Sequence, residues 1–368
     1  MKTGRSNQDL AAEIQRQADA KRDYLLDTRA VQMTAETGQP LGLRFADRQL
    51  TIGATAHDQI ASTYAVPKKY YDRMLSEAPG LLVANVNWWM QQTPAQRMIR
   101  TLDDKARAFL SDRYRPMDNQ ELAEAVLPVI ADLGCEVVSA EITDRRLYLK
   151  AVDKSVVREL KAKGKALGHG HEHFQLEHLS PCISVSNSEI GDGSLRVTAG
   201  TFNHGCTNLA FFNGGQGSMK KYHIGGKGQW GEFSEEEVYK LLTDKTRQLS
   251  DAALWATVRD VVRGAFDTAR FEATIARLQG TAERPITGDV PAVVELTAKR
   301  FGMNDGERKS VLDHLIKGGD LSQYGLHNAV TRTAEDLADY DRASDFEAIG
   351  GQIIELAAND WRVLAEAA

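Results

Sequence analysis

Six cations fall within one short stretch of the chain, Arg97 to Asn119 (RMIRTLDDKARAFLSDRYRPMDN). They are Arg97, Arg100, Lys105, Arg107, Arg113 and Arg115, with Tyr114 among them and Asp103, Asp104, Asp112 and Asp118 opposing. Arginine grips phosphate through a planar fork of donors, and an aromatic beside it offers a face on which an unpaired base can stack. The segment predicts a β-hairpin turning at Asp103-Asp104, with Arg107 and Phe109 on one face and Ala108 and Leu110 on the other. A solvated sheet face with ordinary ion pairs is the competing reading. A second basic stretch, Asn213 to Trp230 (NGGQGSMKKYHIGGKGQW), carries Lys220, Lys221, Tyr222, His223 and Lys227 on a glycine-rich backbone. It matches neither GxxxxGK[ST] nor a strand–GxGxxG–helix pattern, so it points to a polyanion rather than a nucleoside triphosphate.

The third cluster is GHGHEHFQLEHL, with His169, His171, His173 and His178. Alternate histidines on an extended segment share a side, so His169, His171 and His173 could hold zinc or another divalent ion, with Glu172 or Glu177 adding a carboxylate. Neither HExxH nor an HxE…CxxC spacing accompanies them, and a solvated loop is the plainer reading. No GxSxG, no Cys–His pair at a readable spacing and no carboxylate dyad supports a hydrolase, so a non-enzymatic protein without a cofactor is the leading expectation. NSEIGDG, Asn187 to Gly193, lacks the EF-hand spacing. It reads as a tight turn in which Asn187, Ser188 and Glu189 bond backbone groups; orienting arginines across a sheet is its alternative role.

These residues need a scaffold. Helices are predicted over residues 6–26 (a peripheral arm), then Ala54–Tyr64, Lys68–Ser76 and Gly80–Gln92, with a short hairpin over Gln32–Ile52 between. Trp88 and Trp89 read as core residues. Asp118 and Glu121 form a D-x-x-E capping box ahead of a helix over Asn119–Leu133. Strands follow at Cys135–Ile142 and Arg146–Val152, a charged helix at Val156–Lys163, and strands at Pro181–Ser186 and Ser194–Phe202. From Ser234 the pattern is helical, broken at Arg284–Pro291. The order predicts an α+β fold: a curved antiparallel sheet with a β-β-α-β-β core, flanked by N-terminal helices and a helical C-terminal region. Three parts are expected: residues 1–53 as arm and hairpin, 54–233 as core, and 234–368 as helical region.

Composition bounds the setting. The 368 residues are 42% hydrophobic and 26% charged, with net charge −6. From Asp320 onward ten acidic residues face three basic ones, leaving 42 basic and 41 acidic residues in the first 319. An acidic end beside a locally basic sheet is compatible with nucleic-acid binding. No apolar run approaches the length of a membrane span, and the polar N-terminus lacks a secretory signal, so a cytoplasmic protein is expected. Three scattered cysteines read as free thiols.

Several segments resemble the phage/plasmid-like proteins grouped as domain-of-unknown-function family 932. They are VPKKYYDRM (Val66–Met74), IRTLDDKARAFLSDRYRPMDN (Ile99–Asn119), SVSNSEIGDGSLRV (Ser184–Val197), HGCTNLAF (His204–Phe211), KKYHIGG (Lys220–Gly226) and QYGLHNAVTRTAED (Gln323–Asp336). The histidine tract lies outside that pattern. The resemblance implies a protein of phages, prophages or plasmids, associated with replication and recombination but with no established activity. The expected outline is similar to single-strand annealing proteins of the Rad52 type. Together these readings predict a single-stranded-DNA-binding or annealing protein, assembled as a homo-oligomer. Arg97, Arg100, Lys105, Arg107, Arg113 and Arg115 would lie on phosphates, Lys220, Lys221 and Lys227 would close over the strand, and Tyr114 and Tyr222 would stack. A metal-dependent, nuclease-like enzyme using the histidines is the second expectation. The third is an interaction protein that pairs with mobile-element or host recombination proteins.

Overall fold

The computed structural model describes residues 1–36, 38–163, 174–212, 218–221 and 244–368. It is α+β, and among these residues thirteen strands form two separate sheets. The first contains β1 (Arg22–Asp27), β2 (Gln32–Thr34), β3 (Gly42–Phe45), β4 (Arg48–Ile52), β5 (Gln96–Leu102) and β6 (Lys105–Ser111). Its spatial order is β1-β5-β6-β4-β3-β2. Helices α2 (Ala54–Thr63), α3 (Lys68–Glu77) and α4 (Pro79–Gln92) separate β4 from β5, and β4 and β6 then pair in parallel, while the other pairs are antiparallel. Apolar residues at helical spacing on α4 (Leu82, Val86, Met90) join Ile60, Tyr71, Ile99 and Phe109 in the core beneath this sheet.

The second sheet contains β7 (Glu136–Ile142), β8 (Leu147–Val152), β9 (Arg158–Lys163), β10 (Phe174–Asn187), β11 (Leu195–Asn203), β12 (Leu209–Phe211) and β13 (Met219–Lys221). The order is β12-β11-β10-β8-β7, with β9 on β10 and β13 on β11. It is covered on both faces, so β8 (LYLKAV) is buried throughout. Leu147, Leu149 and Ala151 pack with residues of α1 (Asn7–Ala20), α5 (Asn119–Asp132) and α6 (Asp244–Ala265). Tyr148 and Lys150 instead meet α11 (Tyr340–Ile354) through Asp341 and Ser344. The remaining helices are α7 (Thr268–Ala282), α8 (Val290–Phe301), α9 (Asp305–Gly318), α10 (Gln323–Asp336) and α12 (Ala358–Ala365). Val293, Val311, Leu326, Phe346 and Trp361 make a further core among them.

The β-β-α-β-β segment therefore does not form one curved sheet. Its first hairpin (β5–β6) belongs to one sheet, its second (β7–β8) to the other, and α5 bridges them. Residues 6–26 are not a peripheral arm, whereas antiparallel strands do form within the expected Gln32–Ile52 hairpin, as β2, β3 and β4. Strands β1 to β4 make up most of the first sheet, and Leu10 and Ile14 of α1 join the core of the second. The stretch expected as a helix at Val156–Lys163 contains β9, because pairing with β10 and inward burial of Leu160 override the helical preference of its Glu and Lys residues. Trp88 and Trp89 are exposed, Trp88 by 55%. No helix among the described residues is long and apolar enough to cross a membrane. All three cysteines are free, Cys182 fully buried.

Candidate nucleic-acid interface

The β5–β6 hairpin forms as its sequence predicts, but its pairing slips between Arg100 and Thr101. Thr101 faces Ala106 and Arg100 faces Ala108, so Arg107 is the extra residue of a bulge. The slip breaks strict alternation: Ala106 and Phe109, three apart, both enter the first sheet's core.

Arg100 is buried, and each of its nitrogens is used within the protein. Nε donates to Asp23 Oδ1 at 2.9 Å, Nη2 to Asp118 Oδ1 at 2.7 Å and Nη1 to the Glu189 carbonyl at 2.8 Å. Burial works against its charge, but Asp118 and Asp23 outweigh burial and hold its pKa above the ordinary guanidinium value. Lys21 adds contacts to Asp118 Oδ2 at 2.6 Å and Glu189 Oε1 at 3.4 Å, and Arg107 reaches Glu189 Oε2 at 3.4 Å. Arg100, Arg107 and Lys21 thus meet Asp23, Asp118 and Glu189 in a charge-balanced hub between the sheets. Desolvation of its charges offsets much of what such a hub gains by pairing them.

The turn Asn187–Gly193 organises this hub, so both readings of it hold together. Glu189 Oε1 accepts the Asn119 backbone N–H at 2.8 Å, capping the start of α5. Asp118 occupies the N-cap position but makes no side-chain cap bond, because its carboxylate is drawn to Arg100 and Lys21. Asn187 Nδ2 donates to the Met117 carbonyl at 2.7 Å and to Asn119 Oδ1 at 3.0 Å. Tyr114 is buried, with its hydroxyl on the Ser188 carbonyl at 3.2 Å and its ring 6.0 Å from the Arg100 guanidinium. Burial pushes its pKa up, and nothing leaves its ring open for a base. Gly191 has φ +74°, and a Cβ there would lie 2.7 Å from Leu110 Cδ2.

The other expected residues scatter. Arg97 is half-buried, with its guanidinium 5.9 Å from the Phe109 ring centroid. Arg115 pairs with Asp251 of α6. Arg113 is exposed, and Lys220 and Lys221 lie on β13, opposite Arg196 and Leu195 of β11. Tyr222, Lys227, His169, His171 and His173 lie outside the described residues. Among the described residues no group of three or more His, Cys, Asp or Glu side chains is placed to hold a metal ion.

Two of the expected cations do share a cavity. A cleft of about 750 Å³ opens at the tip of the β5–β6 hairpin, lined by Lys105 and Arg107 together with Arg5, Arg16 and Arg145. Its walls also carry Glu13, Asp58, Asp103, Asp104 and Asp144, and the start of α2 at Gly53–Thr55, whose N-cap offers no side-chain bond. Lys105 lies 3.5 Å from Asp144, Arg16 3.1 Å from Asp103 and Arg145 2.7 Å from Asp192. Arg5, Arg16 and Arg145 stand far from the basic run in sequence, and no local pattern marks them as its neighbours. Compared with protein-family models, curated proteins and solved structures, the chain finds no match.

Proposed function

We propose that the protein binds single-stranded DNA, without a catalytic step, along the cleft at the tip of the β5–β6 hairpin. The observation that carries this reading is the convergence of Arg5, Arg16, Lys105, Arg107 and Arg145 on one open cavity. The carboxylate partners of Arg16 and Lys105 do not bar the exchange, whereas Arg107 stays tied to buried Glu189. Asp103 and Asp144 are 58% and 91% exposed, and surface pairs of this kind hold by only about 0–1 kcal/mol each. Phosphate oxygens can replace them, and the α2 N-terminus adds backbone donors and a favourable dipole. Arg100 and Tyr114 serve the reading only indirectly, by fixing the hairpin against the second sheet.

Assembly of several copies on one strand, action in the cytoplasm alongside mobile-element or host recombination proteins, and membership of the phage/plasmid-like family 932 belong to the same proposal. Its support is the way the resembling segments adjoin. Arg113–Asn119 packs on Asn187–Gly193, and Asn208 of the His204–Phe211 segment donates to the Asn328 carbonyl of the Gln323–Asp336 segment.

Fluorescence anisotropy of a labelled oligothymidylate tests the proposal. Binding at low salt should weaken as salt rises, with the slope of log affinity against log salt reduced by about 0.7 for each cation removed. Lys105→Gln with Arg145→Gln should therefore flatten the slope and weaken binding. An affinity that is absent at low salt, or that ignores this pair of substitutions, overturns it.

A further inference from the structure

A second cavity, of about 190 Å³, lies between the second sheet and the C-terminal helices. One face of α10 supplies Gly325, Asn328, Ala329 and Arg332, which recur at helical spacing. Strand β10 contributes Glu177, the end of β11 and the loop after it contribute Asn203, Cys206 and Asn208, and His314 of α9 and the buried Asp320 also line it.

The cavity is built from polar groups that are held in place. Glu177 accepts hydrogen bonds from the Tyr324 hydroxyl, from Asn203 Nδ2 and, at 3.4 Å, from Asn328 Nδ2. Burial raises its pKa despite these donors. Thr207 in the loop adopts φ +53°, a conformation costly for a residue with a Cβ. Asn208 is 4% exposed; its Nδ2 is spent on the Asn328 carbonyl and Thr331 Oγ1, while its Oδ1 accepts no hydrogen bond among the described residues. Arg332 is exposed and forms no ion pair among the described residues. An unmet buried acceptor has lost its water without a replacement, so a donor is wanted there.

We infer that this cavity binds a compact carboxylate bearing an N–H or O–H donor, of the hydroxy-acid or amino-acid class. The carboxylate meets Arg332, a guanidinium suited to bidentate pairing, and the donor meets Asn208 Oδ1. Size limits the ligand. The volume is below the roughly 300 Å³ at which pockets for drug-sized molecules begin.

Calorimetric titration of the full chain with L-serine, glycolate, acetate and inorganic phosphate tests this, together with the alkylation rate of Cys206 by iodoacetamide, followed by mass spectrometry. Cys206 lines the cavity, so an occupant shields it. Serine or glycolate should bind saturably and slow alkylation of Cys206. Acetate, which lacks the donor, should bind about ten-fold more weakly, and Arg332→Gln should lose a similar factor without a change in melting temperature. Four results overturn the inference: no saturable binding by any probe, phosphate binding tightest, acetate equal to serine and glycolate, or undiminished binding by Arg332→Gln. None of these outcomes depends on DNA binding at the hairpin cleft.

Discussion

Lys150 Nζ lies 2.7 Å from Glu347 Oε2, and neither side chain has any solvent exposure. The pair joins β8 to α11, tying the second sheet to the C-terminal helices. Lys150 also donates to Ser344 Oγ at 3.1 Å and sits 4.5 Å from the Tyr340 ring centroid. Burial disfavours its charge, and Glu347 more than compensates, leaving its pKa raised.

Breaking that pair on one side should cost far more than replacing it whole. Glu347→Leu strands a buried ammonium, and the expected loss is about 3–5 kcal/mol by urea unfolding. The double change Lys150→Met with Glu347→Leu should recover most of it, because an apolar pair of similar volume needs no desolvation of charge. Equal losses in the single and double variants would show that the contact's charge is irrelevant.

Lys105 and Arg107 are neighbours in sequence and opposites in environment. The Lys105 side chain is 46% exposed and reaches Asp144, whereas that of Arg107 is 10% exposed and serves Glu189. Lys105→Gln is expected to shift stability by no more than about 0.5 kcal/mol. Arg107→Gln should cost about 1–3 kcal/mol, since it leaves Glu189 with less compensation. Side-by-side denaturant titrations decide the matter, and identical midpoints would remove Arg107 from the hub.

Local signals in the chain were readable where chemistry and geometry coincide within a few residues. The hairpin turning at Asp103-Asp104, the three helices before it and the α5 boundary are of this kind, set by turn residues, proline and apolar spacing. The number of sheets was not readable, because β5–β6 and β7–β8 look alike locally and only long-range pairing with β1, β4 and β10 assigns them to different layers. Arg100 and Arg107 resemble surface cations for the same reason. Asp118 stands within the same run, but the other partners, Asp23 and Glu189, lie on distant segments, and no local pattern shows that these carboxylates converge on the arginines. Trp88 misled in the other direction: α4 carries apolar residues on several faces, yet Leu82, Val86 and Met90, with Val83 beside them, are the ones that find a layer to pack under. The cleft's Arg16 and the small cavity's Asn208 and Arg332 had no local signal at all.

Two buried histidines should make the fold sensitive to mild acid. His57, whose Nδ1 lies 2.8 Å from the Tyr71 hydroxyl, and His327, whose Nδ1 lies 2.8 Å from the Gly350 carbonyl, are both lowered by burial to a pKa of about 4. The unfolded chain takes up protons near pH 6.5 while the folded one does not. Their contribution is therefore complete above about pH 6.5 and is lost as pH falls toward 4, by up to about 3 kcal/mol for each histidine. Asp58 and Asp72 moderate the effect at His57, and Lys68 reinforces it. Unfolding free energies measured from pH 7.5 to 4.5 should fall accordingly, and His57→Phe should flatten the profile even though it lowers stability at pH 7.5. A profile just as steep in that variant would assign the acid sensitivity elsewhere.

Gly191 offers a way to loosen the junction between the sheets without touching a charge. Its φ of +74° carries a cost of about 1–2 kcal/mol for any residue with a Cβ, and the 2.7 Å approach to Leu110 Cδ2 adds a steric penalty. Gly191→Ala should therefore destabilise by about 2 kcal/mol or more. The two causes separate in a double-mutant cycle with Leu110→Ala, which removes the clash and leaves the backbone strain. Partial rescue is the expected result. Because the turn presents Glu189 to the Asn119 N–H, amide exchange at Asn119 should accelerate in Gly191→Ala beyond what the global loss of stability explains. Exchange at Asn119 that merely tracks global unfolding would mean that α5 keeps its cap when the turn is displaced.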